Sequence, residues 1–295
     1  MSFTTADIRN ISLVGHGSTG KTSLLEQMLY VGGVIPKAEL PDTGKSVSDH
    51  TDEEIGRKIS IHTSMAGMEW NNKQINILDT PGVSDFIGEV VCAYRATESA
   101  LMLVDASDGV QIETIKLWRR LNNRKMPRIV FINKLDRERA DFDTVFADLN
   151  KKFDKTFVPV TIPIGNGNNY KGIVNLIENK AYLVHDTGET DHGVEIPAEL
   201  HDIVEEYRLK LIESAAEGDD NLIEKYFEEG TLSPAEIRLG LKEGLENYKI
   251  VPVLCGSSLK NNGVTSLLNF ISNTAPSPGC YTEKAEGKDS EDIDV

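Results

Sequence analysis

The eight residues from Gly15 to Thr22, GHGSTGKT, have the spacing of a phosphate-binding loop. Backbone N–H groups in such a glycine-bearing turn, at the start of a helix, can face the α- and β-phosphates of a nucleotide. Lys21 can reach the β- and γ-phosphates, and the Thr22 hydroxyl can bind Mg²⁺. A strand-to-helix turn with no ligand is the alternative. The residues expected to contact the nucleotide here are His16, Gly17, Ser18, Thr19, Gly20, Lys21, Thr22 and Ser23.

A second stretch, INILDTPGVSDF, ends an apolar run at Asp79 and turns through Pro81 and Gly82. An aspartate at the end of a buried strand can hold Mg²⁺, and a glycine lets the backbone approach a phosphate. The next side chain, Val83, can neither polarise a water nor move a proton. The stretch leaves open whether this site breaks a phosphate bond or only senses the phosphate.

A third motif, NKLD, follows the apolar run IVFI. The Asp136 carboxylate can accept hydrogen bonds from guanine N1 and N2, a pair of donors that adenine lacks. The Lys134 stem can lie on the ring face, and Asn133 can tie this loop to the phosphate-binding loop. A helix cap with a solvated lysine is the alternative. The order of the motifs favours guanine, which argues against a small-molecule kinase that uses the phosphate-binding loop on ATP.

A fourth motif, GSSL, follows the last apolar run of the chain. Its Ser257 and Ser258 N–H groups can donate to guanine O6. By itself such a loop is common, and its position after the other motifs supplies its meaning. The residues expected to contact the base from this loop are Gly256, Ser257, Ser258 and Leu259.

Short apolar runs precede these motifs, and a helical pattern follows each run. The predicted strands and helices are 11–15 before 21–30, 75–79 before a helix from 85, 100–106 before 111–122, 128–133 before 140–153, and 250–256 before 263–272. This alternation predicts an α/β fold with a doubly wound, mostly parallel sheet. Together with the phosphate-binding loop, it indicates a P-loop NTPase. Ligands of such sheets bind at the carboxyl ends of the strands, where every motif falls.

Two segments interrupt the alternation. Residues 31–62 are polar and lack strong periodicity, which is typical of a functional or disordered loop. Residues 158–249 begin with strand-like patterns and then become helical, so we interpret them as an α+β subdomain inserted before the last strand. The predicted GTP-binding domain comprises 1–157 and 250–280, and 281–295 form an acidic tail or linker without ordered structure.

The composition of the 295 residues, 39% hydrophobic and 26% charged, is that of a globular protein. The net charge of −16 argues against a sequence-independent grip on nucleic acid. Cys92, Cys255 and Cys280 form no C-x-x-C pair, which argues against a zinc site or a disulfide framework. No signal segment or membrane span is evident, so we expect a cytoplasmic monomer with no membrane partner and no sequence-specific DNA binding.

Together the motifs form a guanine-nucleotide signature set, and the chain resembles a translational GTPase. It is most similar to the N-terminal GTP-binding domain of bacterial elongation factor G. DEEIGRKISIHTS, FINKLDRERADF, PVLCGSSLKNNGV and NTAPSPGCY all run parallel to that family. The resemblance extends over nearly the whole chain, including the insertion, which peptide-chain release factor 3 also possesses. Further domains follow in that family, so the chain resembles an isolated first domain.

The resemblance implies GTP and GDP as ligands, Mg²⁺ as cofactor, and the ribosome as partner through its stalk and factor-binding site. It assigns catalysis to Lys21 and to the Gly82 N–H group at the γ-phosphate. It implies hydrolysis of GTP to GDP and phosphate to drive translocation or recycling. A GTP-sensing regulatory paralogue with little hydrolysis, a release-factor-3-like GTPase and a ribosome-protection GTPase are the alternatives.

The same resemblance assigns Mg²⁺ to Thr22, to Ser60 and, through a water, to Asp79. Residues 32–62 become a first switch that the γ-phosphate orders. The family has threonine where Ser60 stands, and a hydroxyl is what the metal needs. The alternative is that Thr63, or no residue of this segment, binds the metal.

Two departures from the family pattern bear on chemistry. Ser18 stands where the family has aspartate, which puts a monovalent ion at that position in doubt. Val83 stands where the family has the histidine that orients the attacking water. Losing such a group lowers a rate by roughly 10²–10⁴. His16 and His62 are histidines, but we expect neither of them to orient the attacking water. We therefore expect slow turnover of GTP unless a partner stimulates it.

Overall fold

The structure is a computed structural model that describes residues 3–185, 188–189, 193–280, 284–286 and 292–294. In chain order the strands are β1 (Ile8–Gly15), β2 (Ser64–Trp70), β3 (Lys73–Asp79), β4 (Ser99–Asp105), β5 (Arg128–Asn133), β6 (Thr156–Pro159), β7 (Thr161–Ile164), β8 (Gly172–Asn175), β9 (Lys180–His185), β10 (Gly188–Glu189), β11 (Ile250–Cys255), β12 (Lys284–Glu286) and β13 (Asp292–Asp294). The α-helices are α1 (Lys21–Val31), α2 (Asp52–Arg57), α3 (Ile87–Arg95), α4 (Ile112–Asn123), α5 (Phe142–Lys152), α6 (His201–Ala216), α7 (Asp220–Glu229), α8 (Pro234–Glu246) and α9 (Val264–Thr274).

Seven strands form the central sheet in the order β2-β3-β1-β4-β5-β11-β6. All neighbouring strands in it are parallel except β2, which runs antiparallel to β3. β4, β5 and β11 are buried along their whole length. Burial on both faces explains why these strands read as near-continuous apolar runs. The prediction of a doubly wound, mostly parallel sheet is confirmed.

The register of the sheet brings the motifs to one edge. Leu13 pairs with Asp79, and Asp105 pairs with Asn133, so the ends of β1 and β3 lie side by side, and so do the ends of β4 and β5. Cys255 pairs with Ile132, which places the GSSL loop beside the NKLD loop. Side chains that are distant in sequence therefore meet at the carboxyl ends of β1, β3, β4, β5 and β11.

The sequence patterns miss two elements next to this edge. β2 pairs with β3 over its full length, although the pattern there predicts no strand. α2 forms inside the segment 31–62, where the Thr51 and Glu54 side chains and backbone N–H groups cap one another. The T-x-x-E spacing of this capping box is a helix-start signal that the sequence carries. β6 (Thr156–Pro159) crosses the predicted boundary between the GTP-binding domain and the inserted subdomain, which we placed between residues 157 and 158.

The inserted segment combines a second sheet with three helices. Its antiparallel strands have the order β10-β9-β8-β7. α6 packs on α8, and Leu211, Ala215, Leu241 and Leu245 of these helices are fully buried. Most of the predicted tail lies outside the described residues, but β12 and β13 within it pair antiparallel, so that part is a short hairpin. In the described part of the chain, no helix has the length and apolarity that crossing a bilayer requires.

A close crossing of α6 and α8 predicts the first mutational effect. A Cβ atom on Gly240 would lie 2.0 Å from the Ala215 carbonyl oxygen, a backbone atom that cannot rotate away. We expect Gly240→Ala to lower the free energy of unfolding by about 2–3 kcal/mol, because overpacking forces the helices apart. Chemical denaturation followed by circular dichroism measures this change.

Gly56→Ala is the matched control, since Gly56 is also helical and a Cβ atom there meets nothing within 4 Å. We expect it to be neutral or to stabilise by up to about 1 kcal/mol. Equal effects of the two substitutions would contradict the close crossing.

Candidate nucleotide-binding site

The phosphate-binding loop connects β1 to α1 in a backbone conformation that its small residues permit. Gly20 has a φ of +92°, and a Cβ atom on it would lie 2.6 Å from Asn133 Nδ2. Ser18 also adopts a left-handed conformation, with φ +63°. Its carbonyl oxygen accepts a hydrogen bond from the Lys134 ammonium group. The turn is therefore held against the NKLD loop by the hydrogen bond from Lys134 and by the close approach of Gly20 to Asn133.

The two predicted catalytic groups, Lys21 and Gly82, lie together. Lys21 Nζ is buried in the loop and donates to the Gly15 oxygen at 3.0 Å and to the His16 oxygen at 3.2 Å. Burial lowers the pKa of Lys21 to about 8, against the opposing effect of the Asp79 charge. A Cβ atom on Gly82 would lie 2.5 Å from Lys21 Nζ and 2.8 Å from Gly17 Cα. Only glycine lets the turn after β3 approach the loop this closely.

The three predicted metal ligands also converge. Thr22 Oγ1 donates to Asp79 Oδ2 at 2.8 Å, and Ser60 Oγ lies 3.4 Å from Thr22 Oγ1. Asp79 Oδ1 is buried and has no hydrogen-bond partner among the described residues. Burial raises the pKa of Asp79 to about 6, although the Lys21 charge opposes this shift.

A carboxylate oxygen without a partner, beside two hydroxyl groups, is a donor set that fits Mg²⁺. The described residues contain no group of three or more His, Cys, Asp or Glu side chains that could hold a metal. Phosphate oxygens or waters would have to complete the coordination, as is usual for Mg²⁺. The alternative ligand Thr63 has a buried hydroxyl oxygen without a hydrogen-bond partner among the described residues, but it does not line the phosphate-side cavity, whereas Ser60 does.

Asp49 belongs to this group of residues, and sequence reasoning missed it. It is buried, and it lines the same cavity as Ser60 and Thr22. Its pKa is raised, chiefly by burial. An aspartate in a segment without periodicity gives no sequence signal of burial, so only the fold reveals it.

The base-side cavity, of about 200 Å³, lies between the phosphate-binding loop and the NKLD and GSSL loops. Lys134, Asp136, Ser258 and Leu259 line it, and residues 38–40 close its outer side. This arrangement brings the predicted guanine-contacting residues to one place.

Asn133 is fully buried and joins three loops. Its Nδ2 donates to the Thr19 oxygen at 2.9 Å and to Ser258 Oγ at 3.1 Å. Its Oδ1 accepts from the N–H groups of Lys134 at 2.9 Å and Ser258 at 3.0 Å. Both the amide nitrogen and the amide oxygen of the side chain bind protein groups. Asn133 therefore ties its loop to the phosphate-binding loop, as predicted from the sequence.

Two contacts orient the residues that would meet the base. Asp136 Oδ1 accepts from Ser257 Oγ at 2.5 Å, which fixes the carboxylate. Lys134 Nζ lies 2.8 Å from Asp105 Oδ2. Sequence reasoning missed Asp105, although its place at the end of an apolar run was a usable signal, because parallel strands end at one edge.

The GSSL loop differs from its predicted role. The Ser257 N–H group donates to the Asn262 oxygen at 3.0 Å, and the Ser258 N–H group donates to Asn133 Oδ1. Both groups were expected to face guanine O6, and both have acceptors inside the protein. Recognition of O6 by either group would require sharing one of these bonds.

The phosphate-side cavity, of about 350 Å³, is where Val83 stands. Gly17, Ser18, Lys58 and Gly82 are among its other lining residues, and no described histidine lines it. His62 is exposed at the surface. The imidazole of His16 has a buried Nδ1 atom without a hydrogen-bond partner in the described part of the chain. Neither histidine therefore lies where it could replace the water-orienting histidine that the family resemblance places at position 83.

Comparison with known proteins agrees with this geometry. A family model described as the elongation factor Tu GTP binding domain matches residues 6–277. The crystal structure of ttk003000868 from Thermus thermophilus is similar to this chain, with a TM-score of 0.86 and 30% sequence identity. The similarity covers 92% of this chain and 41% of that chain, so this chain spans less than half of the relative's length.

The Asn133 contacts predict that this side chain stabilises the whole site. We expect Asn133→Ala to lower the free energy of unfolding by about 2–3 kcal/mol, since buried donors and acceptors on three loops lose their partners. Urea denaturation measures the loss. Asn150→Ala is the control, because Asn150 is exposed and makes one bond to the Phe146 oxygen. A change within about 0.5 kcal/mol is expected there. Similar losses in both variants would contradict the role given to Asn133.

Proposed function

The chain belongs to the elongation factor Tu GTP-binding domain family, and we propose that it is the GTP-binding domain of an elongation factor G-like translation factor. It hydrolyses GTP to GDP and phosphate to drive ribosomal translocation or recycling, and it works in the cytoplasm. The partner is the ribosome, reached through the stalk and the factor-binding site. The observation that carries the proposal is the fixed Asp136 carboxylate at a base cavity that adjoins a phosphate-binding loop.

The chain's own residues supply recognition and charge neutralisation. Lys21 neutralises charge on the β- and γ-phosphates, and the Gly82 N–H group donates to the γ-phosphate. Thr22, Ser60 and Asp79 would hold Mg²⁺, which adds positive charge at the phosphates when it is bound. Charge neutralisation and positioning carry most of the catalysis in phosphoryl transfer, so these groups support hydrolysis.

Val83 favours a second candidate, a GTP-sensing regulatory protein that hydrolyses little. The side chain lines the phosphate-side cavity and has no group that orients water. The two candidates differ in their response to the ribosome. Release of phosphate only when ribosomes are added supports the elongation factor G-like function, and GTP binding without stimulated hydrolysis supports the sensor.

Base selectivity tests the guanine site directly. We expect calorimetry to show binding of GDP and GTP but not of ATP. Asp136→Asn should weaken GDP binding by about 100-fold or more, because it replaces the charged acceptor of two hydrogen bonds. The same variant should gain affinity for xanthosine diphosphate, because the asparagine N–H can donate to the xanthine 2-oxygen. Equal affinity of the parent protein for ATP and GTP would refute guanine recognition.

Replacing the valine tests the missing catalytic aid. We expect Val83→His to raise ribosome-stimulated GTP hydrolysis by about 10²-fold, since a positioned imidazole can orient the attacking water. Single-turnover hydrolysis with saturating ribosomes measures this rate. Ser84→His is the control, because Ser84 is exposed and does not line the cavity. No increase for Val83→His, or an equal increase for both variants, would count against this role.

A further inference from the structure

Asn262 is a fully buried asparagine that follows the GSSL loop, and its side chain bonds to the inserted segment. Its Oδ1 accepts a hydrogen bond from the Tyr170 hydroxyl group, and its Nδ2 donates to the Tyr182 oxygen at 3.3 Å. Tyr170 precedes β8 and Tyr182 lies on β9, so both belong to the inserted segment. A buried amide is costly unless its nitrogen and its oxygen both have partners. The side chain of Asn262 therefore depends on the placement of that segment.

The backbone of Asn262 holds the GSSL loop. The Ser257 N–H group donates to the Asn262 oxygen at 3.0 Å, and the Asn262 N–H group donates to the Ser257 oxygen at 3.0 Å. This close approach requires glycine at position 256, because a Cβ atom there would lie 2.3 Å from the Asn262 oxygen. A displacement of Asn262 would therefore displace Ser257 as well.

Ser257 in turn fixes the carboxylate that is proposed to read the base. Its Oγ donates to Asp136 Oδ1 at 2.5 Å and accepts from the Lys260 N–H group at 3.1 Å. A hydrogen bond to a carboxylate is strong, and its strength depends on distance and direction. A continuous path of hydrogen bonds therefore leads from the inserted segment through Asn262 and Ser257 to Asp136.

The inserted segment meets the base-reading loops across a cavity. Tyr170, Asp136 and Lys260 are among the residues that line this cavity, which has a volume of about 530 Å³. A second hydrogen bond crosses from the segment to the NKLD loop, where the Gly167 N–H group donates to the Leu135 oxygen at 3.0 Å. Because open space lies beside these contacts, we expect hydrogen bonds to set the position of the loops relative to the segment.

We propose that Asn262 is a positioning residue for guanine recognition and that its bond from Tyr170 makes this recognition depend on the placement of the inserted segment. The inference rests on the proposed function, because it concerns the carboxylate proposed to read the base. Asn262 acts through Ser257 and needs no contact with the nucleotide. A shift of the inserted segment would therefore change the affinity for the guanine base from a distance.

Base selectivity tests the role of Asn262. Inosine diphosphate lacks the 2-amino group of GDP and keeps N1–H, so the ratio of the two dissociation constants reports the alignment of Asp136 with the 2-amino group. We expect the parent protein to bind GDP about 30-fold more tightly than inosine diphosphate, since one hydrogen bond to a charged acceptor distinguishes them. Asn262→Ala should lower this ratio by about tenfold, as measured by calorimetry.

Tyr170→Phe tests the link to the inserted segment. It removes the hydroxyl group that donates to Asn262 and keeps the ring, so we expect the ratio to fall by about threefold. Tyr182→Phe is the matched control. Its hydroxyl group donates to Glu178, and the backbone oxygen that accepts from Asn262 remains after the substitution. We expect its ratio to stay within about 1.5-fold of the parent ratio.

The ratio separates positioning from general stability. If Asn262→Ala weakens the binding of both nucleotides equally, Asn262 only stabilises the fold and the inference is wrong. An unchanged ratio in Tyr170→Phe, or an equal fall in Tyr182→Phe, overturns the link to the inserted segment. If Asn262→Ala does not fold, the milder Tyr170→Phe decides, and an unchanged ratio there refutes the inference.

The same measurements distinguish this inference from the proposed function. If the parent protein binds no guanine nucleotide, the proposed function fails. If the parent protein binds GDP in preference to inosine diphosphate and the variants keep the full preference, the function stands and the role of Asn262 is refuted.

Discussion

The site depends on the buried amide of Asn133, which makes one unit of loops that lie far apart in the sequence. The amide has two ends of opposite polarity, so it can bind the Thr19 carbonyl and the Ser258 N–H group at the same time. This contact needs the absence of a side chain at Gly20, where a Cβ atom would meet the amide nitrogen. Phosphate recognition and base recognition are thus coupled through one side chain, and neither loop can move without disturbing the other.

Local charge, and not the net charge of the chain, decides that an anion can bind here. The chain carries a net charge of −16, yet Lys21 lies at the phosphate-side cavity and Lys134 at both cavities. Burial lowers the pKa of Lys21 to about 8, so at pH 7 the ammonium form still predominates. Asp105 accompanies Lys134 at 2.8 Å and keeps that cation in place before a ligand arrives. Asp79 lies beside the Thr22 hydroxyl, which a metal could share with it, and the Asp136 carboxylate is held by the Ser257 hydroxyl.

The parts of the site that sequence predicts are those with fixed spacing along the chain. The turn from Gly15 to Thr22, the NKLD motif and Asp79 follow apolar runs, so their place at the end of a buried strand follows from the pattern alone. Asp49 was missed because it lies in a segment without periodicity, where nothing in the sequence indicates burial. Asp105 was missed although its place at the end of an apolar run was a usable signal. The partners of the Ser257 and Ser258 N–H groups could not be read from the sequence for a related reason. A motif says which N–H groups are present, but an acceptor such as the Asn262 oxygen is visible only after folding.

Val83 separates binding from turnover in this site. The groups predicted to recognise guanine, phosphate and a divalent cation are assembled by contacts that do not include residue 83, so the proposed function requires no histidine there for binding. Transfer of a phosphoryl group to water passes through a loose transition state in which positioning and charge neutralisation matter more than proton abstraction. Loss of a water-orienting side chain therefore lowers the rate without abolishing the chemistry. Val83 lines the cavity and has no group that orients water, so under the proposed function that group would come from a partner.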